Sequence, residues 1–175
     1  MGVSRMGLDT GATAALHSSR TFARLAAQAA TPEAVEVAII GAPTAKGSGK
    51  SGTEYGSPHV RGKVTTSVDV STAAPWCTGC GDLGDIVSAD PRELEKEMRG
   101  ATRDLSPSAV VGRLSGDHSL TAASVAELRS RRGPDDLAVI QFDHHLDLQV
   151  SLPAVREELF NTNVMSHVAD VRCYW

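Results

Sequence analysis

Leu137-Ala138-Val139-Ile140-Gln141-Phe142-Asp143-His144-His145-Leu146-Asp147 is a largely apolar run that ends abruptly in carboxylates and imidazoles. Its first half, Leu137 to Phe142, reads as a buried parallel strand, continuous rather than alternating. In extended chain, alternate side chains share a face, so Asp143, His145 and Asp147 are expected to point at one spot. The pattern occurs once more upstream, where the apolar stretch Ala109 to Leu114 runs into Ser115-Gly116-Asp117-His118-Ser119. A lone histidine after a strand is more often a structural hydrogen-bonder, and a surface aspartate is usually just solvated. Several carboxylates behind a buried strand are costlier, because their desolvation calls for a compensating cation. Mixed carboxylate and imidazole donors suit Mn(II), Fe(II) or Zn(II), and the carboxylate excess tilts the choice toward manganese.

Outward from these segments, strands and helices alternate. Val35 to Ile40 is predicted as a buried strand ending at Gly41-Ala42-Pro43, followed by a Gly/Ser-rich loop to Pro58, which can open a helix over His59 to Thr65. Leu83 to Val87 is a weaker strand. Asp90-Pro91-Arg92-Glu93 starts a helix through Met98 with an N-cap and an N1 proline. Thr121 to Arg132 carries Ala122, Val125, Ala126 and Leu128 at helical spacing, Gly133-Pro134 stops it, and Arg129, Arg131 and Arg132 suit the negative end of its dipole. Thr162 to Ala169 is a last helix. Such alternation predicts an α/β fold with a parallel sheet between helices and ligands gathered at strand C-terminal ends.

The 175 residues, 41% hydrophobic, suffice for one core and suit a single domain. Residues 1–34 read as an N-terminal arm, with a short helix over Thr21 to Ala30, and 35–175 as the α/β domain. The Ser, Thr, Arg and Ala content of the arm also fits an organelle transit peptide. A net charge of −4 without a segregated basic patch argues against nucleic-acid or anionic-membrane partners. No apolar run approaches the roughly 18 residues that span a bilayer. A cytoplasmic protein is expected, with a mitochondrial one as the alternative, and three cysteines fit a reducing compartment.

Two local motifs point elsewhere. Gly47-Ser48-Gly49-Lys50-Ser51 imitates a phosphate-binding loop, but the required first glycine falls at Thr44 and no clean helix follows. Trp76-Cys77-Thr78-Gly79-Cys80 imitates a thioredoxin motif, but Gly81-Asp82-Leu83-Gly84-Asp85 cannot supply the helix N-terminus that activates the thiol. Cys77 and Cys80 are read as ordinary loop thiols, although half of a zinc site or a disulfide would also use them.

Gly116-Asp117-His118-Ser119 and Asp143-His144-His145-Leu146-Asp147 together resemble the first two metal motifs of the arginase/agmatinase (ureohydrolase) family. Thr21-Phe22-Ala23-Arg24-Leu25, Ala38-Ile39-Ile40-Gly41-Ala42-Pro43, Gly56-Ser57-Pro58-His59-Val60-Arg61 and Asp82-Leu83-Gly84-Asp85-Ile86 are similar to agmatinase segments in the same order. The resemblance implies a three-layer arginase-like fold, incomplete at the C-terminus, and makes the Gly/Ser loop a substrate-entrance loop. It implies two manganese ions, with His118 on one, Asp143 bridging, His145 on the second and Asp147 on the first. It also implies a metal-bridging hydroxide that attacks a guanidinium carbon, releasing urea and an amine. A small guanidino substrate and a homo-oligomer belong to the same expectation.

Departures from the family pattern bear on activity. Ser115 replaces a glycine and His144 an alanine. A later Asp-rich motif is absent before Trp175, and Asn161 aligns with a histidine thought to relay protons. Asn161 cannot act as acid or base, and His167 could stand in only with a rearranged loop. The sequence therefore predicts an agmatinase-like ureohydrolase, inactive or nearly so as this chain. The alternatives are a non-catalytic metal-binding or interaction module and a nucleotide-binding protein using Gly49-Lys50-Ser51.

Overall fold

A parallel strand needs both faces covered and a long crossover to its neighbour, and the chain supplies both. The computed structural model describes residues 32–63, 79–86, 88, 91–133, 137–149 and 159–170. Along it run β1 (Val37–Ala42), α1 (Gly56–Lys63), β2 (Cys80–Asp85), α2 (Pro91–Thr102), β3 (Val110–Ser115), α3 (Leu120–Arg132) and α4 (Val164–Asp170). One-turn 3₁₀ helices precede α1 at Thr53–Tyr55 and α4 at Asn161–Asn163. The expected helix at Thr21 to Ala30 and the Trp76-Cys77-Thr78 part of the redox lookalike lie outside the described residues.

The three strands are parallel, in the order β2-β1-β3. The most apolar strand takes the centre. On one face of β1, Ala38, Ile40 and Ala42 are buried to 1% exposure or less. There Ala42 packs with Leu94 and Met98 of α2 and Leu120 of α3, while Ala38 packs with Val35, Leu105 and Ala109. Helix α4 closes a further cluster through Val164, Met165 and Val168 against Val125 of α3. The opposite face of β1 meets α1 at Gly41. The arrangement is helix, sheet, helix, as expected.

A buried guanidinium joins α1 to the sheet. Arg61 holds Asp82 with two hydrogen bonds of 2.9 Å, donates to the Ser57 hydroxyl at 2.6 Å and the Gly84 carbonyl at 3.0 Å, and pairs with Asp85. Burial by itself would lower the Arg61 pKa, but the hydrogen bonds and charges of Asp82 and Asp85 outweigh it and hold the pKa above its ordinary value. A Cβ at Gly41 would overlap Asp85, Ser57 and Arg61 together, so glycine is required there. A second buried carboxylate, Glu127 of α3, is shared by Arg113 of β3, Arg131 and the Thr102 hydroxyl of α2. Arg131 thus turns inward instead of simply capping its helix.

Several boundaries differ from expectation. Helix α1 begins at Gly56, before Pro58, and α2 continues past Met98 to Thr102, where the Thr102 hydroxyl bonds the Met98 carbonyl at 3.0 Å. Cys80 is disulfide-bonded, its partner lying outside the described residues, which corrects the reading of an ordinary thiol. Because Cys80 opens β2 instead of a helix, the thioredoxin chemistry has no place here.

Leu137 to Phe142, expected as a buried strand, forms none. A strand is made by ladder hydrogen bonds, and among the described residues this segment pairs with none. Leu137 joins the α3–α4 cluster, while Ile140 is 79% and Phe142 97% exposed. Two substitutions test this architecture in urea unfolding. Arg61→Met strands two buried aspartates and is expected to cost about 3–5 kcal/mol. Phe142→Ser, at an apolar position that the sequence alone would place in a core, is expected to change stability by no more than about 0.5 kcal/mol.

Candidate metal centre

Strand β3 ends at Ser115 and α3 begins at Leu120, so the turn between them sits at a strand C-terminal end. The turn is tight and crowded. A Cβ at Gly116 would run into the carbonyl oxygens of Thr44 and Thr53, so only glycine lets the Gly/Ser loop close over this turn. Ser115 fits by using its hydroxyl, which donates to the Asp117 carbonyl at 2.6 Å and accepts the Asp117 amide at 3.2 Å.

His118 leaves the turn toward the 143–147 segment. Its Nδ1 lies 2.7 Å from Asp147 Oδ2 and 3.8 Å from Asp143 Oδ2. The three side chains bring ligand atoms within 4.8 Å of one another. They come together by a different route from the alternation expected of a strand. The chain bends at His144 and His145, and Asp147 adopts φ 50°, a left-handed backbone that aspartate tolerates better than most residues. The Met165 amide donates to the Asp147 carbonyl at 3.0 Å, and the Gln149 amide donates to the Thr162 carbonyl at 3.0 Å, so the start of α4 and the 3₁₀ turn before it hold this bent segment. His145 is exposed and stays outside the group, its ring edge-on to that of His144. The His145 amide instead donates to Asp143 Oδ1 at 3.1 Å, and that bond holds the Asp143 carboxyl below its ordinary range.

Two carboxylates and one imidazole form a donor set for a borderline divalent cation, since calcium and magnesium sites are built from oxygen. The half-exposed position of His118 and Asp143 leaves room for further ligands. Asn161 and His167 separate clearly. Asn161 Oδ1 accepts the His118 amide at 3.0 Å, whereas His167 sits half-buried on α4 and is no part of the group. Asn161 acts here as a hydrogen-bond acceptor, which sequence spacing did not reveal.

The phosphate-loop lookalike is filled from within. Asp117 Oδ2 accepts the amides of Gly47 and Ser48, Ser48 Oγ accepts that of Lys50, and Glu54 accepts that of Gly52. Amides that would cradle a phosphate are thereby committed to the chain's own oxygens. A cleft of about 460 Å³ lies toward the other end of β3, lined by Arg99, Arg103 and Arg131 among others. Those arginines are already paired with Glu95, Asp104 and Glu127. No helix among the described residues is long and apolar enough to cross a membrane.

The chain is similar in structure to proclavaminate amidino hydrolase from Streptomyces clavuligerus, with a TM-score of 0.68 and 25% identity over 86% of this chain and 52% of that one. Formimidoylglutamase from Bacillus subtilis gives a TM-score of 0.65 with 20% identity over 97% of this chain and 51% of that one, a likeness of fold. The chain thus spans about half the length of these solved structures. No curated protein matches it significantly. The sequence pattern of the arginase family matches residues 35–171. With the match covering most of its length, the chain belongs to the arginase family.

Proposed function

We propose that this chain contributes a metal-binding half-site to an agmatinase-like ureohydrolase, one that hydrolyses a small guanidino compound to urea and an amine with manganese. The observation that carries the reading is the convergence of His118, Asp143 and Asp147, within 4.8 Å, at a strand end of an arginase-family chain. The amidino hydrolase from Streptomyces clavuligerus supports the reaction class.

His118, Asp143 and Asp147 would hold the metal. A divalent cation there supplies Lewis acidity, lowering the pKa of bound water so that a nucleophile exists at neutral pH. The chain's own groups do the positioning. The His145 amide donates to the Asp143 carboxylate and fixes its position, and Asp147 is aimed by an unusual backbone that α4 anchors. Three donors suit one ion better than two, since a manganese ion takes about six ligands in its preferred octahedral oxygen sites. The exposed position of His145 favours the second reading, a non-catalytic module holding a single ion.

Calorimetric titration of the 175-residue chain with Mn²⁺ is expected to find one ion per chain, and His118→Ala to weaken it by more than about tenfold. Urea release from agmatine is expected at the limit of detection. Failure of Mn²⁺ to bind, or binding by His118→Ala equal to that of the unaltered chain, sinks the reading. Asp147→Gly and Asp147→Ala should abolish binding alike yet differ in stability. Glycine accepts φ 50° and alanine does not, so Asp147→Ala is expected to unfold about 1 kcal/mol more easily in urea.

A further inference from the structure

Asp117 is adjacent to His118 yet stays outside the His118, Asp143 and Asp147 group. Its carboxylate is fully engaged elsewhere. Oδ2 accepts the amides of Gly47 at 2.9 Å and Ser48 at 3.3 Å, while Oδ1 accepts the Ser119 amide at 2.9 Å and the Ser119 hydroxyl. The buried Gly47 offers its carbonyl to the Asn161 amide at 3.2 Å, and Asn161 Oδ1 in turn accepts the His118 amide at 3.0 Å. These bonds close a circuit. It runs from Asp117 to Gly47, on to Asn161, and back to His118 beside Asp117. Gly47, 70 residues before Asp117, and Asn161, 43 residues after His118, are thereby tied to the same turn.

The geometry points to Asp117 and Asn161 as positioning residues that lock the His118 backbone to the Gly/Ser loop, so that ligand orientation and loop order are coupled. This rests on reading the cluster as a metal centre. An ionised carboxylate that accepts backbone amides forms strong, charge-assisted bonds, and Asp117 spends all of its bonds on holding neighbours in place. Because the loop cannot lift without releasing the circuit that orients His118, the coupling runs both ways. A cation on His118 stabilises the closed loop, and the closed loop favours the cation.

The test uses the full 175-residue chain, with Mn²⁺ as the probe. Calorimetry reads affinity, and hydrogen exchange reads the Gly47 and Ser48 amides. Asp117→Asn keeps the side-chain shape but loses the charge and one acceptor oxygen. It is expected to weaken Mn²⁺ binding by about tenfold or more, to speed exchange at both amides, and to abolish the slowing of exchange by the metal. Asn161→Ala opens the circuit on its other side and should weaken Mn²⁺ in the same direction, which decides the matter if Asp117→Asn fails to fold. His118→Ala should remove Mn²⁺ binding while leaving metal-free exchange at Gly47 and Ser48 slow. Lys50→Ala, on the same loop but outside the circuit, should change neither readout. If either circuit variant folds and binds Mn²⁺ within about twofold of the unaltered chain, or if exchange at Gly47 and Ser48 ignores the metal, the proposal is overturned while the metal centre stands. If the unaltered chain binds no Mn²⁺, the metal centre itself fails and the proposal with it.

Discussion

A guanidinium sealed from water must find its hydrogen-bond partners within the protein, and Arg61 finds all of its partners at one corner of the sheet. Asp82 and Asp85 reach it from β2, Ser57 from its own helix, and Gly41 of β1 lacks the side chain that would fill the space. A buried ion pair of this kind contributes little net stability over a well-packed apolar substitute, because desolvation offsets attraction. Its effect is on geometry: α1 can sit in one place only. With α1 set, the Gly/Ser loop between β1 and α1 has both ends anchored, one at Ala42 and the other at Thr53–Tyr55. That loop is the one that closes on the turn bearing His118.

On the opposite face, Glu127 does the corresponding work between α2, β3 and α3. Burial lowers the Arg113 pKa, a shift that the charge of Glu127 partly restores and the neighbouring charge of Arg131 adds to. Among the described residues no buried side-chain nitrogen or oxygen lacks a partner, so both polar networks are complete. A rigid frame of this sort lets short, bent segments carry chemistry. His118 is aimed from a turn held by Asp117 and Asn161, and Asp147 from a backbone angle held by the start of α4. Neither side chain relies on regular secondary structure for its direction.

Much of this was legible in the residues themselves. The apolar runs around Ile40 and Val111, the proline-led start of α2 and the periodicity of α3 are local signals that the structure realises within a few residues. The stretches Gly56 to Arg61 and Asp82 to Ile86 are separate points of family resemblance in the sequence. In the structure they are two halves of one ion-pair network, which explains why they occur together. Leu137 to Phe142 misled, because its composition reads as a buried strand, while burial and ladder bonds both require a neighbour that the described residues do not provide. The alternation that would put His145 beside Asp143 and Asp147 likewise holds only for extended chain, and the chain bends at that point.

By itself, then, the sequence determined the alternation of elements, the order of the motifs and the chemical character of the candidate donors. Each of these depends on residue type and on spacing within a few positions. The tertiary structure alone decided which donors meet, that Asp117 faces the Gly/Ser loop, that Asn161 is an acceptor for His118, and that the phosphate-loop lookalike is closed by a carboxylate. These outcomes depend on contacts between segments 43 or 70 residues apart, and on one left-handed backbone angle at Asp147. Local periodicity has no term for either.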